Sequence, residues 1–292
     1  MPEAGSDIAC VAHTQDVLGE VPVWSGRDQA LYWIDAFKPA LHRFDPATRQ
    51  VQSWTPPVKL GSFALRAAGG FLLASRQGIG IYDPETGTFA LRHDPEADRP
   101  NNLLNDGRCD RRGRFWVGSM DKMLQQESGR IYRYDPDGSC RVMVDPIYLT
   151  NGIAFSPDDR WMYVADSHHK TIYRYDLDLA AGTIANRRAI ATVTDGVPDG
   201  ACVDADGFLW SAQFDAGRIA RYAPDGRLDR TLALPVTRPT SCTFGGPGLR
   251  TLFITTATFR LKDAEKAAQS HAGGLLAVDV GVAGIEEPMF GG

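Results

Sequence analysis

Short apolar runs rich in β-branched and aromatic residues recur along the chain at a near-constant period. Six align with one another: Leu31–Asp35, Phe71–Ser75, Phe115–Ser119, Met162–Asp166, Leu209–Gln213 and Leu252–Thr256. Their starts lie 40, 44, 47, 47 and 43 residues apart, which fits a four-stranded propeller blade and is too long for a leucine-rich repeat. A second run follows each one, at Leu41–Asp45, Ile79–Asp83, Ile131–Asp135, Ile172–Asp176, Ile219–Ala223 and Leu275–Asp279. These alternate with period two, so one face packs while Arg or His faces outward. Most end in turn chemistry such as Asp45-Pro46, Asp135-Pro-Asp-Gly138 and Pro224-Asp-Gly226, where Pro presets φ and Gly supplies positive φ. Shorter fourth strands follow, for example Thr88–Arg92. Only residues 262–269 have helix-forming composition, inside the long connection of the sixth repeat. The pattern predicts an all-β chain, a single six-bladed β-propeller over residues 1–292 with four-stranded blades. The N-terminal Ile8–Ala12 is expected to complete the last sheet and remove its exposed edge.

The polar residues that break this pattern fall at repeated places. Glu20, Asn105, Asn151 and Asp199 lie 11, 10, 11 and 10 residues ahead of an aligned run, near the start of the strand that should be innermost in its blade. Innermost strands converge on the propeller axis, so residues at their entrance face one small volume. The other two blades place about Gly61 and Ser241 there, which lack strong donors. Two carboxylates and two amide oxygens make an all-oxygen set of charge −2, suited to one hard divalent cation such as Ca²⁺, Mg²⁺ or Mn²⁺. Fe²⁺ or Zn²⁺ fits if few protein ligands bind and water completes the shell. Asn-Gly, Asn-Asp-Gly and Pro-Asp-Gly are also ordinary turn sequences before a strand. It is the shared register that argues for a site.

Composition narrows the classes. With 31 basic and 36 acidic residues the formal charge is −5, mild and mixed along the chain, which argues against nucleic acid or anionic lipid as partner. The apolar fraction of 43% is ample for a core, and no apolar run approaches the roughly 18 residues of a membrane span. The N-terminus lacks a basic patch followed by an apolar run. Five scattered cysteines without a C-x-x-C pair fit reduced thiols serving as small core residues better than a disulfide framework or a zinc site. A cytoplasmic monomer acting on a small molecule is expected.

Five stretches, in order and correctly spaced, carry a resemblance over nearly the whole chain: Gly19–Trp24, Asn105–Asp110, Phe115–Met120, Thr150–Asp158 and Val197–Gly200. In these the chain resembles the senescence-marker-protein/gluconolactonase family, also called regucalcin-like, and within it bacterial sugar lactone lactonases. The resemblance implies one metal in the channel of a six-bladed propeller, bound by Glu20, Asn151 and Asp199. It also implies Asn105 as a contact to substrate or to a metal-bound water, and Asp199 doubling as the catalytic acid/base. The implied reaction is hydrolysis of a sugar lactone to its aldonic acid. A cation can polarise the lactone carbonyl and lower the pKa of bound water from about 15.7 toward neutrality. A nearby carboxylate can take the proton. Leu103-Leu104 depart from the family pattern, whose members often carry Arg two residues before the Asn-Asp-Gly. That departure points to a pentono-lactone such as xylono- or arabinono-1,4-lactone, with gluconolactone as a further candidate. A propeller phosphotriesterase or arylesterase, and a metal-binding scaffold without catalysis, are the alternatives.

Several other features weigh less. No G-x-S-x-G is present and none of the six histidines falls in the channel register, so a Ser-His-Asp triad is not expected. His168-His169 read as a surface turn on the rim. The polar segment Asp121–Gly129 is either a substrate lid, with Asp121 and Lys122 as candidate substrate contacts, or a simple long hairpin loop. Trp33, Trp116, Trp210, Tyr163 and Phe253 recur at one strand position and read as packing between blades, whereas Trp24 and Phe259 stay open.

Overall fold

The architecture comes from a computed structural model that describes residues 8–292; the amino-terminal stretch inspected for a leader lies outside the described residues. Strand β1 spans Ala9–Ala12. Blade one holds β2 (Gly19–Ser25), β3 (Ala30–Asp35), β4 (Ala40–Asp45) and β5 (Gln50–Trp54). Blade two holds β6 (Leu60–Leu65), β7 (Phe71–Ser75), β8 (Gly78–Asp83) and β9 (Thr88–His93). Blade three holds β10 (Asn102–Cys109), β11 (Phe115–Asp121), β12 (Gly129–Tyr134) and β13 (Cys140–Ile147). Blade four holds β14 (Thr150–Phe155), β15 (Trp161–Asp166), β16 (Thr171–Asp178) and β17 (Thr183–Thr192). Blade five holds β18 (Val197–Val203), β19 (Leu209–Phe214), β20 (Arg218–Tyr222) and β21 (Leu228–Ala233). Blade six holds β22 (Pro239–Gly245), β23 (Thr251–Thr256) and β24 (Leu275–Asp279), with β1 as its outermost strand. The expected all-β propeller is what forms. Helix α1 (Asp263–Ala268) lies in the β23–β24 connection, where helical composition was read.

Every blade is an antiparallel meander, and closure comes from β1, whose Ala9 and Cys10 pair with Ala277 and Leu276 of β24. The second strand of each blade is almost wholly buried, with Leu31, Trp33, Leu72, Phe115, Trp116, Tyr163, Trp210 and Leu252 inaccessible or nearly so. That is why the aligned runs are the most apolar: they face a neighbouring sheet on both sides. Trp24 joins this packing, buried and stacked on Phe253 of blade six with ring centroids 5.9 Å apart. Gly245 admits it, since a Cβ there would lie 2.6 Å from the Trp24 ring.

Three blades share a device that hydrophobic patterning does not show. The indole N–H groups of Trp33, Trp116 and Trp210 each donate to a buried carboxylate 2.8 Å away, on Asp16, Asp110 and Asp204 respectively. Asp110 and Asp204 also accept backbone N–H bonds from their own turns and pair with Arg114 and Arg221. The turns that begin at Asp110 and Asp204 are therefore pinned to the core through a tryptophan.

The residues after β24 cross the face of the ring opposite the site described below. Gly284 bridges to Asp204, Phe290 to Arg66, and Gly291 N donates to Gly113 O at 3.0 Å. Phe290 is buried and stacks on Tyr134 at 5.7 Å. The tail thereby ties blades two, three and five together.

Candidate active site at the channel mouth

Every innermost strand breaks its pairing register at the same depth: Glu20/Val23, Leu60/Ser62, Leu104/Gly107, Asn151/Ala154, Pro198/Ala201 and Pro239/Ser241. In blades one, three, four and five, two residues stand opposite one. A bulge of this kind breaks the in–out alternation and re-aims side chains. It explains the offset of one in the sequence spacing: Glu20 and Asn151 are the last paired residues before the bulge, while Asn105 and Asp199 are its first members. The residues after Glu20 and Asn151 both take left-handed backbone, Val21 at φ 51 and Gly152 at φ 57. For a β-branched residue such as Val21 this is strain held at a site. Blades two and six insert a single residue, Gly61 and Thr240, so Thr240 and not Ser241 is the sixth equivalent. Its Oγ1 is spent on Gly19 O and on Thr255 Oγ1.

The four residues singled out by sequence share one neighbourhood. Asn105 Nδ2 donates to Asn151 Oδ1 at 2.7 Å and to Thr150 O at 2.9 Å. Asn151 Nδ2 donates to Ser167 Oγ at 2.9 Å, and Ser167 Oγ donates to Pro198 O at 2.5 Å, next to Asp199. This chain of bonds runs from blade three through blade four to blade five. It directs the Asn151 carbonyl oxygen toward Asn105 and leaves it a second lone pair. Burial pushes the Glu20 carboxyl well up, and the negative charges of Asp199 and Asp106 push it further, against a lowering bond from Val21 N–H. Burial likewise raises Asp199 well above the carboxylate range, with Asp106 adding to it and Gly200 N–H opposing.

Asp106 is the acidic member that the period-two pattern hid. As the second bulge residue it is re-aimed, and its Oδ2 accepts from Ile153 N at 3.1 Å. Burial raises its carboxyl, and Arg108 offsets part of that. Arg108 is bound in turn to Glu287, which the tail brings across the channel and whose Oε1 also accepts from Thr243 Oγ1 at 3.3 Å. The Arg108 guanidinium thus serves Glu287 and Asp106, and neither Glu20 nor Asp199 draws a compensating positive charge from it. The signal for Asp106 lay in the Asn-Asp-Gly turn itself, and Ser167 could have been found at the end of its aligned strand. Nothing local marked Arg108 or Glu287.

The other candidates are placed differently. Asp121 is buried and its Oδ2 accepts from Gln125 N at 2.8 Å, so its carboxylate holds the base of the 122–128 loop. Lys122 is exposed on that loop. The loop is anchored by Tyr148 OH to Leu124 O at 2.9 Å and by Asn102 and Arg99 to Ser128 O at 2.7 and 2.5 Å. Its tip presents Met123, which is 64% exposed. It leaves β11 on the face where the inner strands begin, since Asp121 pairs with Asn102 at the start of β10. His169 pairs with Asp166 at 2.9 Å and His168 stacks on Tyr148, so this pair is part of a rim turn. Phe259 packs on Phe37 with centroids 4.7 Å apart.

A donor set of two raised carboxylates and an amide oxygen, with a third carboxylate behind it, fits a hard divalent cation: each anion is destabilised by its neighbours and a cation removes that penalty. The family described as SMP-30/Gluconolactonase/LRE-like region matches residues 18–258. The chain is 39% identical over 287 residues to a 6-deoxy-6-sulfogluconolactonase of Pseudomonas putida, covering 98% of this chain and 99% of that one. It is 33% identical over 294 residues to regucalcin of Xenopus laevis, with 98% of each covered. Among solved structures, a calcium-binding regucalcin of Agrobacterium tumefaciens superposes with a TM-score of 0.92 at 27% identity, covering 98% of this chain and 97% of the other. By fold and by similarity along almost its whole length, the chain belongs to the SMP-30/gluconolactonase/regucalcin family.

Proposed function

We propose that this protein hydrolyses a sugar lactone to the corresponding aldonic acid at the channel mouth, with one divalent cation held by Glu20, Asn151 and Asp199. The observation that carries the proposal is the cluster of Glu20, Asp106 and Asp199, whose burial raises all three carboxyls, with charge repulsion adding to it at Glu20 and Asp199, while the nearby Arg108 is already bound to Glu287. The names of relatives, a sulfogluconolactonase and a putative sugar lactone lactonase of Bacillus subtilis, support the substrate class. When bound, a hard cation supplies Lewis-acid polarisation of a carbonyl oxygen and stabilises the anionic charge that develops there.

The remaining work falls to the chain. Asp199, raised by burial and by Asp106, takes a proton from the water that attacks the lactone carbonyl carbon. It returns that proton to the ring oxygen as the ring C–O bond breaks, which balances the reaction as water plus lactone giving a hydroxy acid. Asn105 is fixed by its two bonds to blade four and stands beside the same space, suited to orient substrate. The activated ester of a lactone needs no nucleophilic side chain. Within this class we place pentono-1,4-lactones such as xylono- and arabinono-lactone beside gluconolactone, because Leu103, and not an arginine, stands two residues before Asn105.

Purified protein stripped with chelator and reloaded with Ca²⁺, Mg²⁺, Mn²⁺, Fe²⁺ or Zn²⁺ tests the reading against pentono-, hexono- and sulfonated hexono-lactones. Asp199→Asn should lower kcat by about 10²–10⁴ while circular dichroism and the melting transition show an intact fold. Turnover unchanged by chelation or by Asp199→Asn defeats it, and preference for organophosphates or aryl esters transfers the site to a different hydrolase chemistry.

A further inference from the structure

Far from the channel axis, at the outer edge of blade six, Cys10, His13 and His271 bring one sulfur and two ring nitrogens within 4.8 Å of one another. We propose that these three side chains form a second metal site, selective for a borderline-soft cation such as Zn²⁺, that locks the closing strand of the propeller to the β23–β24 connection.

The geometry is close to what coordination needs. Cys10 Sγ and His13 Nδ1 are 3.4 Å apart. A tetrahedral zinc with bonds of about 2.3 Å to sulfur and about 2.0–2.1 Å to nitrogen holds its ligand atoms about 3.3–3.6 Å from each other. The His13 and His271 rings lie with centroids 5.7 Å apart and tilted by 44°, and neither contacts another aromatic ring among the described residues. His271 Nδ1 is buried and has no hydrogen-bond partner among the described residues. A buried ring nitrogen left without a partner carries a desolvation cost that ligation would remove.

The ligands are also held in place. The register of β1 against β24 shifts between Cys10 and Ala12, a bulge that re-aims the side chains beside it. The segment carrying His271 is fixed by Thr256 Oγ1 to Gly274 O at 2.7 Å, Gly274 N to His271 O at 3.0 Å, and Asp16 N to Gly273 O at 2.8 Å. Gly274 leaves room for the sulfur, since a Cβ there would lie 2.8 Å from Cys10 Sγ. Cys10 is half-buried and His13 exposed, so a cation and a water as fourth ligand can reach the site from solvent. A Cys/His₂ set prefers zinc to the hard cations suited to the all-oxygen channel. Burial raises the Cys10 thiol, so binding at neutral pH releases its proton to solvent.

Cobalt distinguishes this site from the channel, because only a thiolate ligand gives intense sulfur-to-cobalt charge-transfer absorption. Co²⁺ added to the reduced, chelator-stripped full-length protein should produce that absorption at one equivalent. Zn²⁺ should bleach it stoichiometrically, and an excess of Ca²⁺ should not. Cys10→Ser should abolish the band, His271→Ala should weaken cobalt binding at least tenfold, and Asp199→Ala should keep the band. Zn²⁺ should also raise the Tm of Asp199→Ala but not of the double variant Cys10→Ser with Asp199→Ala. Absence of the band in the wild type, its survival in Cys10→Ser, or its loss in Asp199→Ala overturns the proposal.

Discussion

At the residue scale the channel is a problem in electrostatics. Burial and mutual repulsion raise Glu20 and Asp199 well above their ordinary values. The folded chain therefore binds more protons than the unfolded chain between the usual carboxylate range near pH 4 and those raised values. Stability of the metal-free protein falls as pH rises through that window and recovers on acidification toward its lower end. Thermal melts of chelator-treated protein across mildly acid to neutral pH should show this slope, and Glu20→Gln should flatten it and raise the Tm at neutral pH. A flat profile in the wild type would remove the basis for cation binding there. The polar identities at Glu20, Asn105, Asn151 and Asp199 were legible in the sequence because they recur at one register. Asp106 was not, because a bulge aims two consecutive side chains in ways that period-two reasoning forbids.

At the scale of the strand, the bulges require close approach between blades, and glycine permits it. A Cβ on Gly61 would lie 2.1 Å from Leu104 O, a backbone atom that cannot rotate away. Gly61→Ala should therefore destabilise by about 1–3 kcal/mol, read as a lowered urea midpoint at unchanged m-value, and should disturb the neighbouring Asn105. The tryptophan anchors make a parallel case. Trp116→Phe removes the donor to Asp110 Oδ2 and should cost about 1–3 kcal/mol, the desolvation penalty of a buried acceptor left short of a partner. The aligned runs revealed these strands because burial on both faces makes them uniformly apolar. Their carboxylate partners looked like turn residues, and they are turn residues; proximity in space gave them the second role. Cys10 is a comparable case. In sequence it was one of five scattered thiols, and only the pairing of β1 with β24 sets it near His271.

At the scale of the whole molecule, the tail from Gly284 to Gly292 closes the face opposite the site and delivers Glu287 to Arg108. Glu287→Ala would leave a largely buried guanidinium without its main counter-ion and should cost about 3–5 kcal/mol. Glu287→Gln, which keeps the size and an acceptor, should lose less, and denaturant melts of the two variants check the ordering. Phe290→Ala tests the tail as packing and should cost about 3 kcal/mol or more. The tail was invisible beforehand because it forms only isolated bridges and lies after the last repeat, where periodicity has ended. The sequence by itself determined the blade count, the strand order within each blade, the closing strand and four polar positions at the channel mouth. Each of these follows from a local pattern of period two repeated at a longer period. Tertiary structure alone decided which carboxylates repel one another, which guanidinium is spent, and which thiol meets two imidazoles. Those facts depend on contacts between residues far apart in the chain, and no local pattern encodes them.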